Sequence, residues 1–175
     1  MEPLEKKFTR GNREHTKVSY DEMIDVIAKY IAESPNSEYD ITIGTDSQNH
    51  KMTRIVEVLA ICRVGDGGKF FYFREDIPRI NNLKEKIIEE TNRSITNATG
   101  FIDKLAEKLI DYDVDLYDMF DKEKLGFAVH ADIGRRGKTK DLIKEICAWI
   151  EAAGFEARIK PDSYAASGVA NMLSK

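Results

Sequence analysis

Between residues 41 and 110 the hydrophobic period of this chain changes once, and that change limits the folds open to it. Three extended runs come first: "ITIG" at 41–44, "TRIVEVLAICRVG" at 53–65 and "KFFYFRED" at 69–76. All are rich in β-branched or aromatic residues, and "GDGG" at 65–68 is a strong hairpin signal between the second and third. From Leu83 the spacing turns helical: Leu83, Ile87, Thr91, Ile95, Ala98, Ile102, Leu105 and Leu109 form one stripe, with Gly100 as a point of weakness. An acidic connector, "DYDVDLYDMFDKEK", follows with room for a short helical turn. "LGFAVHAD" then reads as a fourth strand, "TKDLIKEICAWIEAAG" as a helix closed by Gly154, "FEARIK" as a fifth strand and "SYAASGVANMLSK" as a last helix. A three-strand meander followed by two α–β crossovers predicts an α/β fold. Its five-stranded mixed sheet has the later strands parallel to the first.

Ahead of the meander, Ser19 and Glu22 have capping-box spacing and open a helix carrying Met23, Ile24, Ile27, Tyr30 and Ile31 on one face. "SPNS" stops it. Residues 1–17 lack periodicity and read as a flexible arm, leaving 18–175 as a single domain. No apolar run approaches a membrane span, and the polar start lacks the apolar core of a signal peptide. Cys62 and Cys147 stand singly in apolar segments without zinc-type spacing, so a reduced, cytoplasmic compartment is expected. The net charge of −4 means that any nucleic-acid binding requires a local positive patch.

The carboxylates are where chemistry enters. "GTD" ends the first strand on Asp46, "HAD" ends the fourth on Asp132, and Asp162 follows the fifth. With the first and fourth strands parallel neighbours, these acids fall at the carboxyl edge of the sheet, where open α/β sheets place their sites. On the long helix, Glu89 falls opposite the stripe and should face solvent, whereas Glu90 lies on its flank and can look along the sheet edge. Clustered carboxylates repel one another, and a divalent ion such as Mg²⁺ or Mn²⁺ reverses that cost. Two such ions activate water and stabilise a leaving oxygen in phosphodiester cleavage. Each acid also has a plainer role. Asp46 suits a turn, Asp162 is a good N-cap for the last helix, and a glutamate on a helix flank is usually solvated.

Between the fourth strand and its helix, "DIGRRGKT" ends like a phosphate-binding loop, but Asp132 stands where that pattern needs glycine. What is left is a basic loop, Arg135, Arg136 and Lys138, suited either to phosphates or to solvent. The alternating acids of "DYDVDLYDMFDK" fail as a calcium loop, because Leu116 and Lys122 occupy the places of its glycine and final glutamate. His130 lies two residues before Asp132 and reads as a structural histidine. His50 reads as a turn residue, and Trp149 as core.

Taken together, "GTDSQ", "HADIGRRGKT" and "IKPDSYAAS" resemble the YkuK family of ribonuclease H-like proteins over residues 19–175. That resemblance implies a five-stranded mixed sheet with helices on both faces. It also implies a metal-dependent acidic site in which Asp46, Glu90, Asp132 and Asp162 take the four carboxylate roles. The implied activity is a Mg²⁺- or Mn²⁺-dependent nuclease acting on nucleic acid, with Arg135, Arg136 and Lys138 meeting phosphates. The region "EDIPRINNLKEK" has no aromatic residue of the kind that hybrid-binding ribonucleases H use. The rival readings are a non-catalytic nucleic-acid or protein-binding module, and a nucleotide-binding relative of the sugar kinases. The oligomeric state is open.

Overall fold

The computed structural model describes residues 6–11, 15–134, 139–160 and 162. Its strands are β1 (Phe8–Arg10), β2 (Lys17–Val18), β3 (Tyr39–Asn49), β4 (Thr53–Arg63), β5 (Gly68–Ile77), β6 (Leu125–Gly134) and β7 (Glu156–Lys160). The helices are α1 (Tyr20–Ala32), α2 (Leu83–Ile110), α3 (Leu116–Asp121) and α4 (Ile143–Ala152). The strands form one mixed sheet in the order β2-β1-β5-β4-β3-β6-β7. The meander β3–β4–β5 is antiparallel, and β6 and β7 add in parallel beside β3. The expected architecture is present with seven strands in place of five. β1 lies in the segment read as a flexible arm and β2 straddles its end: Thr9 pairs with Tyr72 on β5, and Phe8 with Val18 on β2. Such strands are too short for a periodicity to show in sequence. Of the last helix expected at 163–175, and of Arg135, Arg136 and Lys138, nothing falls within the described residues.

Alternation decides which side of the sheet each residue serves. Tyr39, Ile41 and Ile43 on β3 share the main core with Leu59 and Ile61 on β4, Phe71 and Phe73 on β5, and Phe127, Val129, Ala131 and Ile133 on β6. These odd-numbered positions face the described helices. α2 lies over β3 and β6, with α1 and α4 packed against it. Even-numbered positions face the other way, where Val56, Val58 and Tyr72 form a small separate cluster.

α2 runs unbroken through Gly100. Its buried face is not the apolar stripe alone. Ile87, Glu90, Thr91, Ser94, Asn97, Ala98, Phe101, Leu105 and Leu109 are the buried positions, whereas Leu83 is exposed. The stripe read from the sequence therefore omits Phe101 and three polar residues of the first four turns, Glu90, Ser94 and Asn97. Those polar residues are buried because the sheet beneath them is polar too. Asn97 Nδ2 donates to Glu57 Oε2 at 2.7 Å, and Ser94 Oγ donates to Thr45 Oγ1 at 2.9 Å.

Glu57, in the middle of β4, is 1% exposed and is the most deeply buried charge in the sheet. Lys6 Nζ sits 2.6 Å from its Oε2, and Arg93 Nη1 from α2 reaches its Oε1 at 3.0 Å. Arg93 also holds Glu75 on β5 and Glu89 one turn back on α2. Lys6, itself only 6% exposed, lies over the Phe73 ring. This cluster ties the start of the chain, two strands and the long helix together. Removing one partner of a buried pair typically costs 3–5 kcal/mol because the other charge is left without compensation. Lys6→Met should therefore lower unfolding free energy by about 3 kcal/mol, against roughly 0.5 for an ordinary surface change. Urea denaturation measures it, and Lys6→Met combined with Glu57→Gln should cost less than the sum of the two single changes.

Candidate functional site

β3 does not break at Asp46, as its composition suggested. It continues to Asn49 and stays paired with β4 throughout, Asp46 opposite Val56 and Asn49 opposite Thr53. What ends is its other partnership. The parallel pairing with β6 closes at Gly44 and His130. Asp46 and Asp132 each lie two residues further on, on the same face by alternation, where the two strands part. This is the crevice beyond paired strand ends in which α/β sheets hold ligands.

Asp132 is also at an irregularity on its other side. β6 pairs with β7 at Ala131–Ile159 and again at Gly134–Lys160, so three steps of β6 match one step of β7. Bulges of this kind re-aim side chains. Here the bulge brings Lys160 Nζ to 2.7 Å from Asp132 Oδ1. β7 is anchored from the far side by Arg158, whose guanidinium donates to both carboxylate oxygens of Asp40 at 2.7 and 2.9 Å. Gly126, opposite Asp40 on β6, leaves space for that pair, since a Cβ there would meet Asp40 Oδ1 at 2.8 Å.

From the helix side, Glu90 arrives on the second turn of α2. The helix start is set by Asn82, whose side chain accepts from the N–H groups of Lys84 and Glu85. Ahead of it, Asn49 Nδ2 donates to the Ile80 carbonyl and the Ile80 N–H donates to Thr53 Oγ1, pinning the crossover to the β3–β4 hairpin. Glu90 is 9% exposed and accepts a 2.5 Å hydrogen bond from Ser47 Oγ. One turn earlier on the same flank, Lys86 Nζ donates to the Ser47 carbonyl at 2.9 Å. Glu89 turns away to Arg93.

Burial lifts the Asp46 carboxyl above its usual range, and Asp132 adds to the rise; the Ser47 N–H, Lys86 and Lys160 pull it back. Burial also lifts Glu90 to about 7, against the Ser47 hydrogen bond, with Asp46 and Asp132 contributing. The three acids therefore share one field, although Glu90 approaches Ser47 from the helix face and the two aspartates lie on the opposite face. Asp162 is exposed, its N–H donating to the Ile159 carbonyl at 2.8 Å, and no hydrogen bond or ion pair joins it to the other three. Burial and Arg158 hold His130 neutral, down to about 4. His50 is exposed in the β3–β4 turn, and Trp149 packs at the margin of the core.

Carboxylate oxygens in this number suit a hard divalent ion. Among the described residues, however, no three Asp, Glu, His or Cys side chains gather closely enough to hold one, and an ammonium already sits on Asp132. Asp46 and Asp132, the nearest pair by strand register, are the residues that would hold such an ion, with Glu90 behind them. Sequence reading missed both lysines. Lys86 was available as the residue four before Glu90, and Lys160 as the end of the strand beside Asp132.

A family model described as "Ribonuclease H-like" matches residues 22–175. The chain belongs to the ribonuclease H-like family. Within that family it is similar to the uncharacterized protein YkuK of Bacillus subtilis (strain 168): the two are 36% identical over 172 residues, covering 96% of this chain and 98% of that one. No solved structure matches this ribonuclease H-like chain. No helix among its described residues is long and apolar enough to cross a membrane.

The raised carboxyl of Glu90 has a thermodynamic consequence. A folded-state value of about 7 against the ordinary 4.5 means that the folded protein holds this proton more tightly than the unfolded chain. The stabilisation is complete below about pH 4.5 and is lost as pH rises through about 7. Glu90→Gln removes the titration. Relative to that variant, the wild type should lose on the order of 3 kcal/mol between these limits in metal-free buffer, read from urea midpoints at each pH.

Proposed function

We propose that this protein is a Mg²⁺- or Mn²⁺-dependent nuclease or phosphodiesterase acting on nucleic acid. The observation that carries the reading is the placement of Asp46 and Asp132 on one face of two neighbouring parallel strands, just past the end of their pairing, with Glu90 buried against the same stretch of β3. Asp46 is desolvated and Asp132 repels it, and a divalent cation is a ligand that turns such a pair favourable. When bound, such an ion polarises a phosphodiester and lowers the pKa of a water. The chain's own contributions are distinct. Asp46 and Asp132 are the primary ligands. Glu90, steered by Ser47, is placed to hold or release a proton at its carboxyl near neutral pH. Asp162 completes the acidic set after the end of β7, and the basic residues Arg135, Arg136 and Lys138, which follow Gly134 in sequence, meet the backbone phosphates.

The Lys160–Asp132 contact favours one alternative, a module that binds nucleic acid or protein without turnover. Manganese binding separates the two, since such a module has no need of an ion at these acids.

Asp46→Asn and Asp132→Asn should each abolish Mg²⁺-dependent cleavage of labelled DNA, RNA and hybrid substrates while leaving the circular dichroism spectrum unchanged. The loss should exceed the roughly 10–100-fold typical of residues outside the ligand sphere. Wild-type cleavage in either variant would refute the assignment. Replacing Arg135, Arg136 and Lys138 by Ala should weaken nucleic-acid binding without regard to sequence. It should also flatten the dependence on salt by about one counterion per lost contact, with manganese binding retained.

A further inference from the structure

Lys160 is the last residue of β7 and stands in an unusual relation to the acids. The β6 bulge leaves Asp132 projecting over the end of β7, so that an ammonium and a carboxylate from adjacent strands meet at 2.7 Å. The same ammonium acts on Asp46 across the crevice. Lys86, held by the Ser47 carbonyl, acts on Asp46 and Glu90 from the helix side. Among the described residues, three carboxylates are thus faced by two cations that belong to the chain.

The two lysines are not equivalent. Lys86 is half-buried and fixed by a backbone carbonyl, whereas Lys160 is 52% exposed against 23% for its partner Asp132. A lysine carries its charge on a flexible four-carbon stem, and an exposed one can leave at little cost in packing. Compare Glu57, whose cations Lys6 and Arg93 are 6% and 19% exposed and cannot leave without exposing a core charge. One buried acid of this sheet is neutralised permanently. The crevice pair is neutralised by a group free to swing into water.

We propose that Lys160 is a displaceable internal cation that competes with a divalent ion for Asp132 and sets the affinity of the crevice for metal. The proposal rests on the metal-dependent reading above and specifies how that site is regulated: the ammonium holds the acid pair together without metal and must vacate Asp132 for an ion to be held there. Lys160→Met should tighten Mn²⁺ binding about tenfold or more, since each tenfold corresponds to only about 1.4 kcal/mol. Lys160→Arg keeps the charge and should stay near the wild-type affinity. Lys122→Met removes a charge paired with Asp118 on α3, away from the sheet edge, and should change nothing.

The experiment is a Mn²⁺ titration of the full-length chain and these variants, followed by electron paramagnetic resonance of free Mn²⁺ and by calorimetry. Asp132→Asn is carried alongside, and melting in EDTA confirms that each variant is folded. Tighter binding in Lys160→Met alone supports the inference. Unchanged or weaker binding in Lys160→Met, with binding lost in Asp132→Asn, overturns the inference and leaves the metal site standing. Binding that survives at wild-type strength in Asp132→Asn, or no binding in any of the chains, overturns the metal-dependent reading and the inference with it.

Discussion

The parallel register of β3 with β6 fixes where two aspartates stand. Tyr39 pairs with Leu125 and Gly44 with His130, and the odd-numbered residues between them are locked to the helix face by Ile41, Ile43, Phe127 and Val129. A slip of one residue would turn each of those core side chains toward the opposite face, so the register has no slack. Asp46 and Asp132 inherit that precision while lying just beyond the pairing. The apolar core under α2 thus sets the spacing of two polar groups that it never touches.

The long helix serves two buried acids in different ways. Near its start, Lys86, Glu90 and Ser94 face Ser47 and Thr45 on β3. On the neighbouring turns, Arg93 and Asn97 face Glu57 on β4, where Lys6 donates to both Glu57 and Asn97. Desolvating a carboxylate is expensive in either place. At Glu57 the compensation is a guanidinium and an ammonium enclosed in the fold, which suits a girder between the first strands and the helix. At the crevice the compensation is partial and partly exposed, which suits a place where ligands come and go. A groove of about 690 Å³ lined by Ile110, Val114 and Tyr117 lies at the other end of α2. At 1.5 Å per residue its nearest helix position, Asp103, is roughly 20 Å along the axis from Glu90.

Much of this was legible in one dimension. The strands of the meander, the hairpin with Gly65 and Gly67 at positive φ, the capping box of α1 and the length of α2 follow from local propensity and period. So does the phase that separates Glu90 from Glu89, because a helix of 28 residues keeps its phase over many turns. β1 and β2 were illegible, since three and two residues carry no period and their pairing depends on β5 being there to receive them. Lys6 looked like one more basic residue in a solvated arm. Its burial is a property of Glu57, 51 positions away.

The sequence by itself determined the order of elements from α1 to β7, the mixed character of the sheet and the position of Asp46 and Asp132 on the strands β3 and β6. These depend on interactions within about one turn or one hairpin, and on the rule that apolar faces must be covered. Only the tertiary structure decided which charges are neutralised and by what. Lys160 meets Asp132 because β6 bulges by two residues against β7. Arg93 spans Glu57 and Glu75 because β4 and β5 set them diagonally under α2. Coulomb energies of a few kcal/mol change within ångströms, and such distances are fixed only when distant segments pack.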